Sequence, residues 1–164
     1  PGTSPHLSGV LFSARTGVNA VHVPFRGAAQ NIPAMLSGDV TFAVDNLASY
    51  ISQIEAGTMR ALAVTSAQRW PTLPNVPPMA EAGVKDFIVT SWAAYVVPAA
   101  TPQAVIDRIS TAHKEIAADP AMQQRFLSAG GRILQSTPAE ARTFATKETK
   151  MWQEVVRLSG LTPQ

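Results

Sequence analysis

With 164 residues, 46% of them apolar and 15% charged, the chain fits one domain, or one domain plus a detached part of another, and it can bury a core, which excludes a disordered protein. Thirteen basic against eleven acidic residues leave a net charge of +2, and the basic ones are scattered without interleaved aromatics, so nucleic acid is not an expected partner. The absence of cysteine excludes disulfides, thiolate metal sites and thiol catalysis.

In chain order, Ser4-Pro5 reads as a cap followed by proline at the first helical position, opening a helix through about Arg15 that Gly17 ends. The β-branched run from Val18 to Pro24 predicts a strand, and Ala28 to Leu36 a helix in which Pro33 is tolerable only near the first turn. Val40 to Val44 predicts a second strand and Leu47 to Glu55 a helix closed by Gly57. Met59 to Thr65 is almost continuously apolar, the pattern of a strand covered on both faces. Four prolines between Pro71 and Pro78 rule out regular structure there, and Met79 to Gly83 is one helical turn with a glycine stop. Phe87 to Val97 predicts a long or bent strand that breaks at Pro98. Alternating strands and helices of this kind define an α/β class with a largely parallel sheet.

The last third is helical. Thr101-Pro102 caps a helix with Val105, Ile106, Ile109, Ala112 and Ile116 at helical spacing. Asp119-Pro120 opens another through about Ala129, Gly130-Gly131 breaks it, and Arg132 to Gln135 is a candidate short strand. Thr137-Pro138-Ala139-Glu140 is a capping box ahead of a long helix carrying Phe144, Met151, Trp152, Val155 and Leu158 on one side. The expected division is therefore 1–97 as an α/β lobe and 98–164 as a crossover with closing helices. The chain has no internal repeat, no low-complexity segment and no apolar run long enough to cross a bilayer.

Gly2-Thr3-Ser4-Pro5-His6-Leu7 is the foremost ligand candidate. A helix start presents free N–H groups and the positive end of the dipole, which favours carboxylate or phosphate, and Thr3 and Ser4 add hydroxyl donors. An ordinary capped helix accounts for the same residues. Pro24, Phe25, Arg26, Gly27 and Ala28 lie where a strand hands over to a helix, the edge at which open α/β folds collect ligands. Arg26 is either a carboxylate partner or a solvated loop charge. Asp45 is either an acceptor for a ligand ammonium or hydroxyl or, with Asn46, the cap of the next helix. Trp92 either lines a cleft or fills a core or hinge.

His6, His22 and His113 show no metal-ligand spacing, so no metal is expected, and no phosphate loop or dinucleotide fingerprint implies a cofactor. A serine hydrolase would need Ser4, His6 and Asp45 to converge, without any G-x-S-x-G elbow, so an enzyme is not expected and no catalytic residue is assigned.

One series ties these elements together: His22-Val23-Pro24-Phe25-Arg26-Gly27, Met35-Leu36-Ser37-Gly38-Asp39-Val40, Ala43-Val44-Asp45-Asn46, Ala56-Gly57-Thr58-Met59-Arg60-Ala61-Leu62-Ala63-Val64-Thr65, Leu73-Pro74-Asn75-Val76-Pro77 and Ala80-Glu81-Ala82-Gly83. It resembles the tripartite tricarboxylate transporter receptors, the TctC or Bug family of solute-binding proteins, from about Gly2 to Leu161. The match covers only the later half of that family's length, which implies a fragment. Phe25 stands where the family usually has Tyr, and Gln30 and Ala34-Met35 where it tends to have Pro and Asp-Leu.

The resemblance implies an α/β, type II periplasmic binding protein-like fold, here one lobe plus the helical segment that returns toward the other. It also implies capture of a di- or tricarboxylate or an amino acid for integral-membrane transporter subunits. Export to the periplasm follows from the resemblance alone, because no signal peptide is legible in a chain that begins at Pro1. The Gly/Ser-rich turn before His6-Leu7 and the polar pair Asp45-Asn46 fall where the family lines its cleft. An effector-binding domain of a regulator is the alternative. Without a covering lobe, the faces at Val105/Ile109/Ile116 and Phe144/Trp152/Val155 are expected to pack on the remaining lobe or to pair two chains.

Overall fold

A computed structural model describes residues 2–159, with six α-helices and one 3-10 turn among them. Helix α1 (Ser4–Thr16) starts one residue earlier than the sequence indicates, with Thr3 as its extended N-cap and Pro5 in the first turn, where a missing N–H costs nothing. It ends as expected at Gly17, whose φ of 73° is the left-handed conformation glycine adopts freely, with its N–H on the Ser13 carbonyl at 2.9 Å. Leu7, Ser8 and Leu11 form its buried face.

Helix α2 (Ala28–Leu36) has the expected bounds, but Pro33 lies inside it, beyond the first turn. Pro33 has no N–H for the Ala29 carbonyl, and the helix stops three residues later. The single helix expected over 47–55 is instead a 3-10 turn (Leu47–Ser49) followed by α3 (Ile51–Glu55). The break falls at Tyr50, which has φ −120° and whose buried hydroxyl bonds Asp45 and Asn31. Those side-chain bonds outweigh helix continuity.

The five expected strands are the main correction. Among the described residues no regular ladder forms, and the one bridge is parallel, between Val64 and Pro78. Val64 N–H donates to Pro77 O (2.9 Å), Met79 N–H to Val64 O (3.0 Å) and Val89 N–H to Thr65 O (3.0 Å), so residues 63–65 run between 77–79 and 87–89. Pro77 and Pro78 lack the N–H groups that would extend the pairing. Phe87 and Val89 are buried while Ile88 is 61% exposed, the two-residue alternation of an extended chain. Residues 59–65 are not covered on both faces, since Leu62 is 68% exposed. Residues 18–24 are exposed irregular chain, with a local bond from Ala20 N–H to Val18 O (3.2 Å) and no backbone bond to another described segment.

The chain divides into two compact units, Pro1–Ser91 with Gln153–Gln164, and Trp92–Trp152. The first unit thus ends at Ser91, and the end of the last helix groups with it. In the first unit, Leu7, Leu11, Tyr50, Met79, Phe87, Val89 and Val155 are buried. Phe12 meets Phe42 and Phe87 edge-on, at 5.7 and 6.2 Å between ring centroids, which seats α1 on the extended segments. Arg69 closes the proline-rich stretch by bonding the Pro74 carbonyl (3.1 Å) and pairing with Glu81.

The second unit holds α4 (Gln103–Ala118), α5 (Pro120–Ser128) and most of α6 (Pro138–Ser159). Asp119 caps α5 by accepting from Ala121 N–H at 2.8 Å, and Gln123 Nε2 reaches the Ala117 carbonyl at 2.8 Å. The strand expected at 132–135 is irregular chain, fixed where His113 Nε2–H donates to the Leu134 carbonyl (2.8 Å). The capping box of α6 forms as read. Glu140 Oε2 accepts from Thr137 N–H and from its hydroxyl, both at 2.8 Å, and Thr137 Oγ1 accepts from Glu140 N–H at 3.2 Å.

Candidate functional site

The start of α1 and the turn after Val44 meet in the first unit. Ser4, Pro5 and Ser8 from α1, Val44, Asp45 and Asn46 from the turn, and Thr65, Val89 and Ser91 from the extended segments line a cavity of about 30 Å³. A space of that size takes a small polar group. The first helical bond of α1 is Leu7 N–H to Thr3 O at 3.0 Å, so the Ser4 and His6 amides stand outside the ladder and Pro5 has none. The hydroxyls of Ser4, Ser8 and Ser91 bond no other described atom, whereas Thr65 Oγ1 donates to the Val89 carbonyl at 2.7 Å. Three uncommitted hydroxyls and a helix start therefore face one small space that no lysine or arginine lines.

Asp45 is the charged member of the lining. Its Oδ1 accepts from Asn46 N–H (2.7 Å) and its Oδ2 from the Tyr50 hydroxyl (2.8 Å). Asn31 Nδ2 in turn donates to the Tyr50 oxygen at 2.7 Å, which ties α2 to the turn. The capping position of the 3-10 turn belongs to Asn46, whose side chain makes no capping bond. Burial, then the bond to Asp45, pushes the Tyr50 phenol up to about 12, so it remains a donor at any physiological pH.

Of the residues named from sequence, Ser4, Asp45 and Asn46 are brought together, and Thr3 immediately precedes them as the N-cap. Gly2 and His6 meet in a local turn. Gly2 has φ 78°, and its N–H donates to His6 Nδ1 at 3.1 Å. The His6 ring lies 4.3 Å from that of His22. An accepting Nδ1 means a neutral ring, and desolvation followed by the neighbouring His22 lowers the His6 pKa from 6.5. Among the described residues the Ser4 hydroxyl bonds no histidine.

Pro24, Phe25, Arg26, Gly27 and Ala28 do not line this cavity. They shape the start of α2, where Gly27 is the N-cap and Gln30 Oε1 accepts from Arg26 N–H at 3.2 Å. Arg26 is exposed and forms no ion pair among the described residues, while the Ala28 and Ala29 amides precede the helical ladder. Trp92 lies in the second unit, edge-on to Phe144 at 5.4 Å, with its Nε1–H donating to Glu148 Oε2 at 3.2 Å.

Sequence reading missed Ser8, Thr65, Ser91 and Tyr50. The only hint lay in Ser8, a polar residue between Leu7 and Leu11 on what had to be the buried face of α1.

The architecture is that of the α/β periplasmic binding proteins. R. palustris Rpa4515, solved with adipate, superposes with a TM-score of 0.91 at 30% identity, over 99% of this chain and 54% of that one. The periplasmic binding protein BugD gives 0.84 at 31% identity, over 98% and 54%. The sequence profile described as tripartite tricarboxylate transporter family receptor matches residues 1–161, and the chain belongs to that family. Bordetella pertussis BugT is 31% identical over 159 residues, which are 97% of this chain and 49% of BugT. A UPF0065 protein of Pseudomonas knackmussii is 31% identical over 94% of this chain and 92% of its own length. The chain thus spans about half of BugT and of the two solved structures, and nearly all of the Pseudomonas protein.

Proposed function

We propose that the whole protein is a periplasmic receptor that captures a small carboxylate and presents it to integral-membrane transporter subunits. The observation that carries this reading is the cavity at the start of α1, lined by Ser4, Ser8 and Ser91 with their uncommitted hydroxyls and by the first turn of the helix. Such donors suit a carboxylate end, because a helix start adds about 0.3–1 kcal/mol for a negative group. A head-group-sized space implies end-on entry, with the rest of the ligand held by residues outside it. The amides of Gly27 and Ala28 at the start of α2, with Arg26 beside them, are a second set of donors for that remainder. The family relative solved with adipate supports a dicarboxylate as ligand class.

Titration calorimetry of the full-length protein with succinate, glutarate, adipate, malate and aspartate tests the proposal. Saturable binding of at least one acid, weakened by Ser8→Ala or Ser91→Ala, is expected. Heat changes no larger than those of dilution for every acid would overturn it.

A further inference from the structure

We infer that the ligand carries a hydrogen-bond donor, a hydroxyl or ammonium, beside the carboxylate that enters the α1 cavity, and that Asp45, held by Tyr50, selects for it. This rests on the reading of that cavity as the carboxylate site. The lining has one feature that reading does not use, an acceptor-only anion set among the donors. A carboxylate offers about four lone-pair sites and no proton. On Asp45, Asn46 N–H fills one site on Oδ1 and the Tyr50 hydroxyl one on Oδ2, leaving about two open toward its surroundings.

The direction of these bonds is fixed by chemistry. Asn31 Nδ2 can only donate, so the Tyr50 oxygen accepts from it and the single phenolic proton is left for Asp45. The phenol is buried and titrates only at about 12, so it does not release that proton. Tyr50 is therefore a positioning residue that keeps the Asp45 carboxylate in one orientation at the cavity wall. A plain dicarboxylate entering there sets a second acceptor-only anion beside Asp45 with no hydrogen between them. A 2-hydroxy or 2-amino acid supplies that hydrogen from the carbon next to its carboxylate, while the carboxylate itself takes the serine hydroxyls and helix amides. Recognition of a donor by a group left unpaired in its absence is the stronger form of discrimination.

The test compares succinate with malate and aspartate, which share its carbon skeleton and differ at one carbon, by titration calorimetry on the full-length protein. Malate or aspartate binding at least about tenfold tighter than succinate is expected. Asp45→Asn is expected to bring that ratio toward one, and Tyr50→Phe to reduce it several-fold. Equal affinities in the unaltered protein overturn the inference and leave the carboxylate site standing. A ratio unchanged in both variants, or a parallel loss for all three acids, removes Asp45 and Tyr50 as its source. Failure of every dicarboxylate to bind overturns the carboxylate reading and this inference with it. The ratio in the unaltered protein decides the matter even where a variant does not fold.

Discussion

Tyr50 does two things at once: it ends the 3-10 turn and it fixes the Asp45 carboxylate. Removing its hydroxyl leaves Asn31 Nδ2 without its acceptor and Asp45 Oδ2 without its donor. Tyr50→Phe is therefore expected to destabilise the first unit by about 1–3 kcal/mol, read as a lower denaturant midpoint at unchanged slope. In the first turn of α1, His6 has a lowered pKa, so protonation opposes the native state. The sign follows. Its contribution is fully present above the ordinary value of 6.5 and is lost as pH falls through the lower native value. NMR titration of the ring should place His6 below 6.5, and His6→Gln should flatten the acid limb of stability. A midpoint at or above 6.5 would contradict the Gly2–His6 bond. Ser4, Asp45 and Asn46 were legible in the sequence because polar residues at a helix start or just past a strand are conspicuous. Ser8, Thr65 and Ser91 were not, since a hydroxyl in a helix or strand looks alike whether it faces a cavity or water.

At the scale of elements, helix ends were read best because their chemistry is local. The cap at Asp119, the box at Thr137 and Glu140 and the stop at Gly17 each involve residues within four positions. Asp119→Ala should cost about 1 kcal/mol, measurable as a thermal midpoint shift of the second unit. The Thr137 backbone bond, then its side-chain bond, lowers the Glu140 pKa from 4.5, so this support for α6 is present above about that pH and fades as pH falls through the lower native value. Helicity followed by circular dichroism from neutral to acid pH should show the loss in the native chain and a smaller one in Glu140→Gln. Strands were read worst. The β-branched runs at 18–24 and 40–44 form no ladder among the described residues, since a ladder needs N–H and C=O groups on a neighbour, and the one bridged segment has Pro77 and Pro78 as its partner.

At the scale of the whole molecule, apolar surface is the conspicuous quantity. Val105, Ile109 and Ile116 on α4 and Phe144 on α6 are each at least 39% exposed, at spacings that place the α4 residues along one side of the helix. Val21 and Val96 are 86% and 89% exposed on irregular chain. Uncovered faces of this kind associate in water. Residues 1–164 expressed alone are expected to self-associate with concentration in sedimentation, and Ile109→Lys with Ile116→Lys to shift the distribution to smaller species. A monomer at all concentrations would show that these faces need no cover.

The sequence by itself determined where most of the helices fall, the caps at Asp119 and Thr137, the stop at Gly17, the family, and the polar residues at the α1 start and the Asp45 turn. All of these depend on neighbours within a turn or on motifs written contiguously. Only the tertiary structure decided that Ser8, Thr65 and Ser91 share a cavity with Asp45, that Tyr50 and Asn31 fix its carboxylate, and that the chain divides after Ser91. Most of those join residues 19 or more positions apart, and the short Tyr50–Asp45 bond depends on the fold that buries the phenol. Sequence periodicity names the face of an element but not what comes to lie against it.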